Sequence, residues 1–185
     1  MALGDANAIA DVTQTLVNLL TGLDVTLDSP AALQAGAADA TWAKINLYLC
    51  QVLENPHSKN QPWVTRDDGK AEYPPLALNL YYLLTPYASD TPSAHTVLSH
   101  AMQTFYDHSI LADAALVEPL RLSVDHLSLT LVPLKLEDLT RIWNALQTPY
   151  RLSVAYEARI ALIRSQQADE AGRVLTRTNE YAQIA

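Results

Sequence analysis

The chain has 185 residues, 49% hydrophobic and 17% charged, with a net charge of −8. That length gives one domain with a sizeable core. The acidic balance excludes a general nucleic-acid binder, which needs a basic patch, and no stretch approaches the roughly 20 apolar residues of a membrane span.

Residues 1–11 lack a basic region and carry Asp5 and Asp11. No secretory signal peptide is expected, and synthesis in the cytoplasm follows. Residues 5–21 read as an amphipathic helix: Ile9, Val12, Leu16, Leu19 and Leu20 form one stripe, and Gly22 is its stop. Residues 25–27 fit a short strand ended by Asp28, Ser29 and Pro30. The Ala-rich stretch 31–40 fits a short helix or a loop. Residues 45–53 are apolar on both faces, as in a strand inside a sheet. The single Cys50 within them excludes an intramolecular disulfide and reads as a buried, inert thiol.

Residues 54–75 carry Pro56, Pro62, Pro74, Pro75 and the Asp68-Gly69 turn signal. They read as a long exposed excursion, in which Trp63 and Val64 form a small edge hairpin or a contact patch. Residues 76–85 are a second strand apolar on both sides. Asp90-Thr91-Pro92 opens a helix whose inner stripe is Ala94, Val97, Leu98, Ala101, Met102 and Phe105. Residues 120–132 read as a third long strand, with a change of phase near His126-Leu127 that suggests a bulge. Leu136, Leu139, Ile142, Trp143 and Leu146 recur at helical spacing, with Glu137 and Asp138 at the helix's start. Pro149 stops that helix. A half-buried strand over 151–163 follows, with Leu152, Val154, Tyr156, Ala158, Ile160 and Leu162 on one side and Ser153, Glu157 and Arg159 on the other. Trp143 and Leu152 belong in the core. Residues 165–185 form a polar tail or arm. Strand and helix do not strictly alternate, so the fold class is α+β: a single mixed or antiparallel sheet with helices packed on it.

No pattern in the chain carries chemistry. His95 and His100 lie five apart, about 140° around a helix, and share no face. HExxH, CxxC and HxxxH are absent, so no metal is expected. Ser123, Asp125 and His126 are the residue types of a hydrolase triad, but neighbours on one strand point to opposite faces. Five glycines leave neither GxGxxG nor GxxxxGK[ST], so no nucleotide cofactor is expected. An enzyme acting through His126 or His100 is the rival reading, with no motif behind it.

Several segments in order resemble one family. They are Ile45-Asn46-Leu47-Tyr48-Leu49 with Glu54-Asn55-Pro56, then the run from Pro74-Pro75-Leu76 through Thr85-Pro86-Tyr87. Ala94-His95 to Ala101-Met102-Gln103 follows, then Leu127-Ser128-Leu129, Leu139 to Trp143, and the stretch from Trp143 through Thr148-Pro149-Tyr150-Arg151 to Tyr156. Together they are similar to the cap, or tail-terminator, proteins of phage-tail-like extracellular contractile injection systems, such as the antifeeding prophage and the Photorhabdus virulence cassettes. The resemblance runs over about residues 5–164. It implies a phage tail-terminator-like domain over 1–164, with 165–185 as an arm. It also implies a structural role without catalysis, cofactor or metal. The cap would be a homo-oligomeric ring, six-fold, that ends the inner tube and holds the last sheath layer at the end distal to the baseplate. Its partners would be the tube and sheath proteins, with no nucleic acid and no membrane insertion, in a particle released from the cell. An adaptor anchoring the particle end to a membrane or another subunit is the alternative. Some members of the family carry a further C-terminal region, and this chain is expected to be the minimal version. Candidate contact residues are Trp63, Tyr150, Arg151, Ser153, Glu157 and Arg159.

Overall fold

The computed structural model describes residues 7–35, 43–58, 64–65, 70–72, 74–163 and 168–170. Helix α1 (Ala8–Leu19) buries Val12 and Leu16 on its apolar stripe and ends before Gly22, whose φ of 91° suits a residue without a side chain. Strand β1 (Asp24–Thr26) follows, then α2 (Pro30–Ala35) and β2 (Lys44–Glu54). Two short strands, β3 (Val64–Thr65) and β4 (Lys70–Glu72), interrupt the Pro-rich excursion as an antiparallel pair. Val64 thus lies in the expected hairpin, whereas Trp63 falls outside the described residues.

Strand β5 (Leu76–Tyr87) leads into helix α3 (Thr91–Asp107). The Asp90 carboxylate accepts the Ser93 N–H at 2.9 Å, and Pro92 occupies the helix's first turn. A short strand β6 (Ile110–Ala112), a single turn α4 (Glu118–Arg121) and β7 (His126–Val132) come next. This corrects the long strand expected over 120–132. Its change of phase marks a helical turn giving way to a shorter strand, not a bulge. Helix α5 (Leu136–Ala145), β8 (Val154–Ile163) and β9 (Ala168–Glu170) complete the order.

Six strands form one sheet in the order β1-β2-β5-β8-β7-β6. Only β1 and β2 run parallel; the other neighbours are antiparallel. The expected mixed sheet carrying helices is therefore observed. A second sheet, β3-β4-β9, joins the excursion to the segment after β8.

The large sheet has two unlike faces. On one, α1 and α3 bury Val12, Leu16, Leu98, Ala101 and Phe105 against Leu80, Tyr82, Leu84, Tyr156 and Ala158. The Phe105 ring meets Tyr156 edge-on at 5.0 Å, and Tyr82 shares a 2.8 Å hydrogen bond with Thr13. On the other face α5 lays Leu139 and Trp143 over Leu83, a smaller cluster. Trp143 is 1% exposed, as expected of a core residue. Leu152 is a correction: it precedes the strand and is 45% exposed. Gln147, at φ 54°, and Pro149 turn the chain between α5 and β8 through an irregular segment, so the sequence alternation begins before the strand does.

Candidate interaction surface

Helix α5 covers only part of its face of the sheet. Register shows what lies beside it. Gln51, Tyr81, Glu157 and Thr130 stand in one row across β2, β5, β8 and β7, and Leu53, Asn79, Arg159 and Ser128 stand in the next. Gln51, Leu53, Thr130 and Arg159 are exposed. The result is a largely polar patch on four strands with one buried carboxylate at its centre.

That carboxylate is Glu157, only 4% exposed. Its Oε1 accepts the Asn79 amide at 2.8 Å and the Tyr81 hydroxyl at 2.7 Å, and its Oε2 pairs with the Arg159 guanidinium. Behind it, the Asn55 amide donates to Asn79 Oδ1 at 3.0 Å, and Asn55 Oδ1 accepts the His57 N–H at 2.9 Å. Burial pushes the Glu157 carboxyl up, but Arg159, Tyr81 and Asn79 outweigh it and hold it below the usual range. The Tyr81 hydroxyl is pushed up, chiefly by its bond to that carboxylate. A carboxylate fixed in its ionised form with both oxygens engaged is a poor general acid or base. It is well suited to hold the Arg159 guanidinium in one orientation at the surface, where the Arg159 side chain remains 50% exposed.

The bulges belong to this arrangement. On β8, Asn79 pairs with Arg159 while Leu78 pairs with Ala161, which leaves Ile160 as the extra residue. On β2 the extra residue is Cys50. Its thiol donates to the Tyr81 carbonyl at 3.2 Å, and burial pushes it up, which keeps it protonated and inert.

The structure divides the residues proposed from sequence. Ser153 and Glu157 are each 4% exposed, so their polar groups serve the chain itself; Ser153 bonds Thr85 at 3.0 Å and the Arg151 carbonyl at 2.9 Å. Arg151 is half-buried and lies over the Tyr87 ring at 4.7 Å. Tyr150 is 45% exposed. Glu157 and Arg159 come together. Arg151 keeps company with Tyr87 instead, and Trp63 lies outside the described residues. Sequence reasoning missed Asn55, Asn79 and Tyr81. The signal was present in Asn79, a lone amide inside an apolar run, since a buried amide requires partners. His95, His100, His108 and His126 are all exposed. No helix among the described residues is long and apolar enough to cross a membrane.

The fold is a mixed six-stranded sheet with α1 and α3 on one face and α5 on part of the other. It superposes with a TM-score of 0.70 on the sheath/tube terminator of an extracellular contractile injection system, PVC, in its extended state. Identity there is 17%, over 96% of this chain and 64% of that one. The tube-terminating cap of the anti-feeding prophage matches with a TM-score of 0.66 at 17% identity, over 95% of this chain and 60% of that one. The chain therefore spans less than two thirds of the length of either. The chain belongs to the Pvc16 N-terminal domain family, whose pattern it matches over residues 7–177. No curated protein matches it significantly.

Proposed function

We propose that the chain is a structural cap that terminates the inner tube and sheath of a contractile injection particle, acting without catalysis. The observation that carries this reading is the likeness over 96% of the chain to a sheath/tube terminator, joined to membership of the Pvc16 N-terminal family. A central carboxylate held ionised, its oxygens engaged by Asn79, Tyr81 and Arg159, is consistent with a surface that binds and does not react. The cap works as a homo-oligomeric ring, six-fold, on the tube end distal to the baseplate. It is made in the cytoplasm and carried in the assembled particle. Tyr150, Arg151 and Arg159, with the Trp63 segment and residues 165–185, are the proposed contacts to neighbouring subunits, tube or sheath. Ser153 and Glu157 act beneath them by fixing backbone and guanidinium.

The test is to mix the purified protein with cognate tube and sheath proteins and image the products by electron microscopy. Rings at one tube end and a narrowed distribution of tube lengths are expected. A protein that neither forms rings nor binds tube or sheath sinks the proposal, and one found only at a membrane transfers the role to an adaptor.

A further inference from the structure

Among the described residues the six-stranded sheet ends in a three-residue strand on each side, β6 and β1. At one end β6 covers only part of β7: Ile110, Leu111 and Ala112 pair with Ser128, Leu127 and His126. Among the described residues no strand pairs with Thr130, Leu131 and Val132 on that side. The Leu129 N–H points outward to the Ser109 carbonyl at 2.8 Å, so the Leu131 N–H, two residues on, points the same way. Alongside runs a groove of about 540 Å³ between α3 and β7, lined by Met102, Phe105, Tyr106, Leu129, Leu131 and Tyr156 among others. Tyr106 is 82% exposed, Ile110 69% and Leu131 45%. Strand edges are normally guarded by charge, proline or a covering element, because a bare edge recruits another strand. Here the three free residues carry no charge.

The opposite edge is β1, paired among the described residues only with β2. It too is three residues long, and Leu27, 50% exposed, follows it directly. The Asn46 amide donates to the Thr26 and Asp28 carbonyls at 3.1 and 2.9 Å, which fixes the backbone on either side of Leu27. Asp24 pairs with Lys44 of β2 at 3.5 Å, and Asp28 accepts the Thr26 hydroxyl at 2.7 Å, so both carboxylates are held within this edge. The two edges thus match in length, and one offers an apolar side chain to the apolar groove beside the other.

A head-to-tail ring needs two different, complementary surfaces on opposite sides of one subunit. We propose that the β7 edge and the α3–β7 groove receive the β1 edge and Leu27 of a second copy of this chain, continuing the sheet from copy to copy. This rests on the ring reading above and assigns its subunit contact. The mode is strand addition, with main-chain hydrogen bonds for affinity and Leu27 for register.

Two kinds of variant test it, alone and on tube ends. In a Cys50→Ala background, Leu27→Cys on one preparation and Leu131→Cys on another should form disulfide-linked dimers under mild oxidation only when mixed. The chain carrying both should give a ladder of covalent oligomers. Separately, Leu27→Glu and Leu131→Lys should each raise the concentration for half-assembly at least about tenfold, and their combination should recover most of that loss. Both side chains are half-exposed, and an unchanged circular dichroism spectrum shows that the fold is intact. Wild-type rings with no cross-link and no response to either charge overturn this contact while leaving the ring standing, as does a groove protected by tube protein instead. A wild-type protein that is monomeric both alone and on tube ends overturns the ring and this contact together.

Discussion

Replacing Glu157 tests whether the centre of the polar patch is held by its charge. In Glu157→Gln the carbonyl still accepts from Asn79 and Tyr81, so two charge-assisted bonds become neutral ones. The new amide meets the Arg159 donors and the ion pair is lost, but a half-exposed guanidinium turns to water at little cost. Charge-assisted bonds contribute roughly twice what neutral ones do, so Glu157→Gln should destabilise by about 2 kcal/mol at pH 7. Glu157→Ala also strands the Asn79 amide, 7% exposed, and should cost about 3–4 kcal/mol. Urea unfolding at a protein concentration low enough to suppress assembly reads both. The sign of the pH dependence is fixed by the carboxyl lying below its ordinary 4.5 in the folded chain. Its contribution is present above 4.5 and is lost as pH falls through the folded value. Wild type and Glu157→Gln should therefore converge as pH falls from 4.5 through the folded value, below which the protonated acid resembles the amide. Equal stability at pH 7, or a gap that persists undiminished in acid, refutes the reasoning.

Burial pushes the Tyr82 hydroxyl up to about 12 against an ordinary 10.0, so its contribution is whole below pH 10 and declines above it. Unfolding measured from pH 9 to 12 should show a loss of about 2 kcal/mol by pH 12 that Tyr82→Phe lacks. Trp143→Ala, on the inner side of α5 and 1% exposed, should cost about 3–5 kcal/mol by urea unfolding, whereas Leu152→Ala, 45% exposed, should stay within about 1 kcal/mol. The Cys50 thiol, pushed up by burial, should resist iodoacetamide at pH 8 in the folded protein and react quickly in urea.

What was legible in the sequence follows from which residues have only local reasons for their conformation. The α3 start could be read because Asp90 and Pro92 act within one turn, and β5 because both of its faces are apolar. The α5 stop could be read from Pro149, yet the strand after it starts at Val154, because Gln147 and the packing of Arg151 on Tyr87 decide the irregular stretch. The stretch 120–132 misled because Leu120 and Val124, four apart, serve the core from a helical turn and its exit, while Leu127 and Leu129 serve it from a strand. Both spacings look alternating in a short window. Glu157 read as a solvated strand residue because alternation places it opposite Tyr156. What buries it is the row of partners on β5 and the bulge at Ile160, which belong to pairing between segments far apart in the chain. The three-stranded sheet was hidden for the same reason: β9 meets β4 from nearly a hundred residues away, and neither strand is long enough to announce itself.

The two faces of the sheet bear on the proposed role through rigidity. A terminator has to present fixed contacts to a tube it does not extend, and flexible side chains make poor fixed contacts because ordering them costs entropy. Arg159 is a long cation on an exposed strand, yet its guanidinium is held by a carboxylate that is itself held by Asn79 and Tyr81. Asn79 is in turn held by Asn55, whose N–H donates to the Ala77 carbonyl at 2.8 Å. Each link moves part of the ordering cost from the moment of binding to the moment of folding, where the apolar face under α1 and α3 offsets it. The same logic explains why Glu157 and Ser153 are buried directly beneath surface residues of the proposed contact. Their burial makes them poor contacts and good supports, so substituting them should weaken partner binding through lost orientation of Arg159 and Arg151, even where the partner never touches them.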